Sequence, residues 1–132
     1  MILVDSCVLI DVIEMDAQWA DWSQAALDEW GRHGPVCINP VVYAELSPDF
    51  SDPAALDKVL DGVGIEFREM PRSALFLAAR AHQAYRRRGG AHTGVLPDFF
   101  IGAHACVLGC PLLTRDPRRF RGAFPDLIVI AP

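Results

Sequence analysis

Short apolar runs alternate along the chain with longer stretches in which apolar residues recur every three or four positions. Unbroken apolar runs of this kind are typical of strands that are buried on both faces of a parallel sheet. A further segment, Ile65–Phe67, alternates apolar and polar residues and predicts a half-exposed strand. The predicted strands are Ile2–Val4, Val36–Ile38, Ile65–Phe67, Pro111–Leu113 and Leu127–Ile130.

The intervening stretches predict helices, because their apolar residues recur at helical spacing. The first helix carries Val8, Leu9, Val12 and Ile13, and Ser6 is the expected N-cap. The later helices are predicted over Ala17–Arg32, Pro40–Leu46, Pro53–Leu60, Pro71–Arg88 and 95–109. Strands that alternate with helices predict an α/β fold with a largely parallel sheet covered on both faces.

A chain of 132 residues, 52% of them hydrophobic, predicts one folded domain over residues 1–132. No apolar run reaches the roughly 18 residues that a membrane-spanning helix needs, so we expect no membrane contact. Met1 leads directly into Ile2 without a basic segment, which does not match a signal peptide and predicts a cytoplasmic location. The four cysteines lie among apolar residues, which favours core packing over zinc binding.

The net charge of −5 weighs against broad, non-specific affinity for nucleic acids. The basic residues are nevertheless clustered, and all but Lys58 are arginines, which suit bidentate phosphate contacts better than lysines do. One cluster, Arg86–Arg88, fits a solvated helix end at least as well as it fits contact with RNA. The second cluster consists of Arg115, Arg118, Arg119 and Arg121.

Four acids that are distant in sequence are predicted to meet at one edge of the sheet. Asp5 ends the first strand, and Asp116 follows the fourth. Glu45 lies in the second turn of the helix after strand two, and Asp98 lies in the first turn of the helix before strand four. Ligands of open parallel sheets bind at the carboxyl ends of the strands, where these acids converge if the loop from Gly89 returns to that edge.

Each acid also has an ordinary structural interpretation. Asp98 suits a helix start, Asp5 suits either a cap or a chemical role, and Asp116 suits a turn. Glu45 lies among apolar residues, and a buried unpaired Glu is costly, which favours a function for it. Carboxylates about 5 Å apart repel by roughly 3 kcal/mol at an effective dielectric constant near 20, and a divalent cation removes that repulsion. Oxygen ligands favour Mg²⁺ or Mn²⁺, which polarise phosphodiesters and activate water.

Four segments in order resemble the PIN domain, and more narrowly the VapC-type toxins of bacterial toxin–antitoxin pairs. They are MILVDSCVLIDV, NPVVYAEL, LPDFFIGAHA and LLTRDPRRF. The resemblance implies a three-layer α/β/α sandwich with a short, mostly parallel central sheet. It also implies a Mg²⁺- or Mn²⁺-dependent endoribonuclease, the toxin of a type II toxin–antitoxin system, with an RNA substrate. A cognate antitoxin and a homodimer are the implied protein partners.

The resemblance also assigns residues. Asp5, Glu45, Asp98 and Asp116 match the family's acidic quartet as catalytic and metal-binding residues. Ser6 and Thr114 match hydroxyl residues that hold these carboxylates or a water. Arg115, Arg118 and Arg119 flank the predicted site and are candidates for RNA binding.

Other classes of protein remain as alternatives. A phospho-receiver also gathers acids and Mg²⁺ at a strand edge, but it needs a late-strand lysine, and Lys58 lies early in the chain. An aspartyl phosphatase usually has an Asp-x-Asp sequence, whereas Asp5 is followed by Ser6 and Cys7. A non-catalytic interaction domain is the third alternative. Among the histidines, His92 in the loop after Gly90 is a further candidate for RNA contact.

Overall fold

The sheet is built outward from the N-terminal strand. The strands are β1 (Ile2–Val4), β2 (Val36–Ile38), β3 (Ile65–Phe67), β4 (Leu112–Leu113) and β5 (Val129–Ile130). Their order across the sheet is β3-β2-β1-β4-β5, and every pairing is parallel. The carboxyl ends of all five strands therefore meet at one edge, and the α/β fold with a parallel central sheet is confirmed.

The computed structural model describes residues 1–90 and 95–132, so His92 lies outside the described residues. Helices flank the sheet. They are α1 (Ser6–Ile13), α2 (Ala20–Gly31), α3 (Pro40–Leu46), α4 (Pro53–Gly62), α5 (Arg72–Arg87), α6 (Leu96–Leu108) and α7 (Arg118–Ala123), with a 3-10 helix at Ser47–Asp49. Within the described ranges, no helix combines the length and the apolar character needed to cross a bilayer.

Two groups of buried apolar side chains hold the elements together. The larger group surrounds the sheet, and the side chains of Ile2, Leu3 and Val4 in β1 have no exposed surface. The smaller group joins α5, α6 and α7 through residues that include Phe99 and Phe124. Burial of each large apolar side chain contributes about 2 kcal/mol, so β1 and its neighbours form a rigid base for the sheet edge.

Capping groups decide where the helices that follow β1 and β2 begin. Asp5, not Ser6, is the N-cap of α1, so the expected cap at Ser6 is wrong. Asn39 caps α3, because its side-chain oxygen accepts a hydrogen bond from the Val42 amide at 2.9 Å. Pro40 follows at the first helical position, where its missing N–H is not needed. This start places Glu45 in the second turn of α3.

Two helices differ from the prediction for local reasons. The segment before α2 forms a turn instead of helix, because the Asp16 carboxylate accepts hydrogen bonds from the amides of Gln18 and Trp19. The α2 helix therefore begins at Ala20 and not at Ala17. The α7 helix has six residues and no side-chain cap, and it is not among the predicted helices. Such a short helix gives almost no periodic signal.

Candidate active site

Asp5 is a buried carboxylate at the carboxyl end of the central strand. Only 7% of the residue surface is exposed. Its Oδ1 accepts a hydrogen bond from the Ser6 amide at 2.8 Å, and its Oδ2 accepts one from Thr114 Oγ1 at 2.8 Å. The Cys7 thiol lies 3.4 Å from the same Oδ2 atom. Burial raises the pKa of Asp5, and these hydrogen bonds only partly offset the increase.

Glu45 reaches the same place from α3. Its Oε1 accepts a hydrogen bond from Ser6 Oγ at 3.1 Å, so Ser6 links Glu45 to Asp5. The residue as a whole is exposed, and the expectation that Glu45 is buried among apolar residues is wrong. Its carboxylate end is still partly desolvated. That desolvation, followed by the charges of Asp5 and Asp98, raises the pKa of Glu45.

Asp98 arrives at this edge in the first turn of α6. The N-cap position belongs to Val95, and no side-chain hydrogen bond caps the helix. The Asp98 carboxylate instead accepts a hydrogen bond from Arg119, with 2.9 Å between Oδ2 and Nη1. Its charge raises the pKa of both Asp5 and Glu45. Asp98 therefore acts electrostatically on the other two acids, although no hydrogen bond joins it to either of them within the described residues.

Asp116 stands apart from the other three acids. Its backbone amide donates a hydrogen bond to Thr114 Oγ1 at 3.1 Å, which ties the loop after β4 to the residue that holds Asp5. The carboxylate itself is 62% exposed, and its Oδ1 lies 3.9 Å from Arg118 Nε. It is not among the charges that shift the pKa of Asp5 or Glu45. The loop is therefore tied to the site through Thr114, while the Asp116 carboxylate is exposed beside Arg118.

Arg115 has a structural partner that the sequence analysis missed. Its Nε and Nη2 atoms donate to the two oxygens of Asp11, at 2.8 and 3.0 Å. Asp11 is buried and also accepts a hydrogen bond from Ser23 Oγ, and the guanidinium lies over the Trp19 ring. Because two of its nitrogens are already paired, the expected phosphate contact of Arg115 has little geometric basis. The signal for this pair in the sequence was Asp11 itself, a lone acid within the apolar first helix.

Beside the acids lies an open cavity of about 720 Å³. Arg88, Arg118 and Arg119 line it, together with Asp116. Tyr85 and Phe99 form an aromatic part of its wall, with ring centroids 5.4 Å apart. The arginines of this wall give the cavity a charge suited to phosphate groups.

The acids provide oxygen ligands that suit a hard cation, but their side chains are not arranged in coordination geometry. Within residues 1–90 and 95–132, no three His, Cys, Asp or Glu side chains are already arranged to hold a metal ion. The donor set nevertheless fits Mg²⁺ or Mn²⁺, because all of its groups are carboxylate oxygens. The pKa values of Asp5 and Glu45 are raised partly by neighbouring carboxylates, and a divalent cation would relieve that repulsion. The site is therefore compatible with such an ion once the side chains turn toward it.

Comparisons with known proteins bear on the family and the fold of the chain. The family model described as "PIN domain" matches residues 2–124. No curated protein sequence matches the chain. Among solved structures, VapBC2 from Rickettsia felis, bound to a promoter DNA fragment, is 18% identical with a TM-score of 0.76. That match covers 99% of this chain and 98% of the other.

Two further structures share the fold at similar levels. A toxin–antitoxin complex from Klebsiella pneumoniae is 20% identical with a TM-score of 0.72, and the match covers 98% of this chain and 96% of the other. VapBC-1 from nontypeable Haemophilus influenzae is 15% identical with a TM-score of 0.75, and the match covers 99% and 98% of the two chains. At these identities the likeness establishes the fold alone.

Proposed function

The chain belongs to the PIN-domain family, a family of nucleases, and from this premise we propose that it is a divalent-metal-dependent endoribonuclease. The observation that carries the proposal is that Ser6 links Asp5 to Glu45 at the carboxyl edge of the sheet, where the charge of Asp98 acts on both. Asp5 and Glu45 have raised pKa values there and lie within the field of Asp98. A cluster of carboxylates that repel one another destabilises a fold, so its presence favours a use for it.

In this proposal Asp5, Glu45 and Asp98 hold Mg²⁺ or Mn²⁺. The bound ion would polarise the phosphodiester and lower the pKa of a water molecule. Thr114 and Ser6 fix the orientation of the carboxylates through the hydrogen bonds to Asp5 and Glu45. Asp116 would act from the loop after β4, by a rotation of its exposed side chain or through water.

RNA would approach from the cavity beside the acids. Arg118 and Arg119 line this cavity, and their side chains are exposed. Both could therefore contact phosphates next to the cleaved bond. Arg115 is left out of this role because Asp11 holds its guanidinium. RNA cleavage in the cytoplasm is the activity that we propose.

We further propose that the chain is the toxin of a type II toxin–antitoxin pair, with an antitoxin protein as partner and a homodimer as its assembly. The solved structures with this fold include VapBC assemblies and a toxin–antitoxin complex, which supports the proposal. We also propose that residues 1–132 form a single PIN domain. The family match ends at residue 124, but β5 pairs with β4 in the same sheet after that point.

The test is cleavage of single-stranded RNA by the purified protein, with Mg²⁺ or Mn²⁺ and with EDTA. Asp5→Asn and Asp98→Asn should each lower the rate by about 100-fold or more, since each removes a charged ligand. Asp61→Asn, which removes an exposed carboxylate on α4, is the matched control and should cleave at the wild-type rate. If both site variants cleave like the wild type in the presence of metal, the proposed site is wrong. Circular dichroism checks that all variants are folded.

The partner is tested separately. The product of a neighbouring short reading frame, expressed together with this chain, should co-purify with it and suppress RNA cleavage. A catalytically active chain that is unaffected by any such product would remove the toxin assignment and leave the nuclease assignment intact.

A further inference from the structure

Arg119 places a positive charge among the three central acids. Its Nη1 atom lies 2.9 Å from Asp98 Oδ2, and within the described part of the chain no other arginine is hydrogen-bonded to Asp5, Glu45 or Asp98. The Asp98 side chain is only 23% exposed, whereas that of Arg119 is 47% exposed. The acid is thus set into the protein surface, and the arginine reaches it from the solvent side.

The position of Asp98 makes this contact significant. Its charge acts on both Asp5 and Glu45, so a cation on Asp98 lowers the repulsion within the whole cluster. A metal ion at the cluster would perform the same electrostatic task. It would also need the Asp98 oxygens, one of which Arg119 occupies. Because the two cations carry charges of the same sign, each weakens the contact of the other with Asp98.

We propose that Arg119 is an internal counter-ion that occupies Asp98 in the metal-free protein and competes with the divalent metal for it. This inference rests on the proposed metal site and adds a residue that regulates its occupancy. Arg119 sits on α7, a six-residue helix without a side-chain cap, and it lines the adjacent cavity. Arg88 and Arg118 line the same cavity.

Two neighbouring arginines show why this role belongs to Arg119. Arg115 is held by two hydrogen bonds to buried Asp11, so its release would leave a buried charge unpaired. Arg118 is 94% exposed and lies 3.9 Å from an exposed carboxylate, so it contributes little to the central cluster. Arg119 combines a close contact with an exposed side chain, and such a contact is weak enough for a metal to replace.

The experiment measures Mn²⁺ affinity directly, by calorimetry or by electron paramagnetic resonance of free Mn²⁺, in the absence of RNA. Arg119→Gln should bind Mn²⁺ about three- to ten-fold more tightly than the wild type, because the competing ion pair is gone. Arg118→Gln removes the same charge from the adjacent position and should change the Kd by less than about two-fold. Arg119→Lys keeps a cation within reach of Asp98 and should stay close to the wild type.

The second measurement is the melting temperature, which should fall in Arg119→Gln although its Mn²⁺ affinity rises. Without metal, Arg119→Gln should melt at a lower temperature than the wild type, because the acids lose their counter-ion. Saturating Mn²⁺ should remove most of that difference. Equal Kd values for the two glutamine variants, or weaker Mn²⁺ binding by Arg119→Gln, would overturn the inference and leave the proposed nuclease untouched. If neither the wild type nor any variant binds Mn²⁺ and none cleaves RNA, the proposed function fails and this inference fails with it.

Discussion

Replacement of Glu45 by glutamine should stabilise the metal-free protein at neutral pH. The pKa of Glu45 is raised from its ordinary value of 4.5, first by burial and then by the charges of Asp5 and Asp98. The folded chain therefore holds the Glu45 proton more tightly than the unfolded chain does. The stability from this group is complete below about pH 4.5 and is lost as the pH rises through the folded pKa. Glutamine carries no charge at any pH and avoids that loss.

The size of the effect follows from the contacts of Ser6, which links the two acids. Its amide donates to Asp5 at 2.8 Å, and its hydroxyl donates to Glu45 at 3.1 Å. Charges that are separated by one such residue, roughly 6 Å apart, repel by about 3 kcal/mol at a dielectric constant of 20 and by under 1 kcal/mol in water. Because Glu45 is exposed as a residue, we expect a gain of about 1 kcal/mol, or about 3 °C in Tm.

The assay is thermal and urea unfolding of wild type and Glu45→Gln, in EDTA, at pH 7.5 and at pH 4. The variant should be more stable at pH 7.5, and the difference should vanish at pH 4 and shrink in high salt. Glu14→Gln, at the C-cap of α1 and so at the opposite end of the sheet, controls for the loss of one charge. Saturating Mn²⁺ should reverse the order, because the wild type gains more from the metal. A variant that is less stable at pH 7.5, or a difference independent of pH, would refute the electrostatic reasoning.

Three further predictions test other parts of the structure. Burial lowers the pKa of His104 from 6.5, and its buried ring nitrogens have no hydrogen-bond partner within the described residues. The contribution of His104 to the free energy of unfolding should therefore be fully present above about pH 6.5 and be lost as the pH falls through the lowered pKa. His104→Leu should remove this pH dependence in urea unfolding. Asp11→Asn breaks the partly buried pair with Arg115 and should destabilise by about 2 kcal/mol in urea unfolding. Asp11→Asn should also slow RNA cleavage, because Arg115 would no longer hold the segment that carries Thr114. An unchanged free energy of unfolding and an unchanged cleavage rate would show that the Asp11–Arg115 pair does not position this segment. Gly102→Ala places a Cβ 2.4 Å from Phe124 and should lower stability by about 2 kcal/mol by calorimetry.

The convergence of the acids could be predicted because it depends on topology and not on side-chain detail. Asp5 directly follows an apolar strand, and in a parallel sheet the ends of all strands meet at one edge. Glu45 follows from the start of α3, which Pro40 marks in the sequence. The position of Asp98 relative to the sheet edge depends on the path of the loop before α6, and the periodicity of apolar residues gives no information about that path. The topology placed Asp98 at this edge only if that loop returned, the resemblance assigned it to the same site, and in the structure its charge acts on Asp5.

The pairing of arginines could not be predicted, because it is decided by side chains from elements that are far apart in sequence. Arg115 and Arg119 are four residues apart and look alike in the sequence. One pairs with a buried acid of α1, and the other pairs with an acid of the site. The distinction rests on Asp11, whose carboxylate is removed from water and therefore requires a cation. A sequence pattern of basic residues thus identifies candidates for RNA contact, but the partners of each guanidinium decide which remain available.

The unequal environments of the acids explain how a metal-free fold can tolerate them. Asp5, the most buried of the three, receives hydrogen bonds from an amide, a hydroxyl and a thiol, all of which favour its charged form. Glu45 keeps much of its surface in water, and Asp98 has Arg119. Each acid is thus offset by a different means: hydrogen bonds partly counter the burial of Asp5, water reaches Glu45, and Arg119 pairs with Asp98. The repulsion that remains between the carboxylates is the part that a divalent cation would relieve.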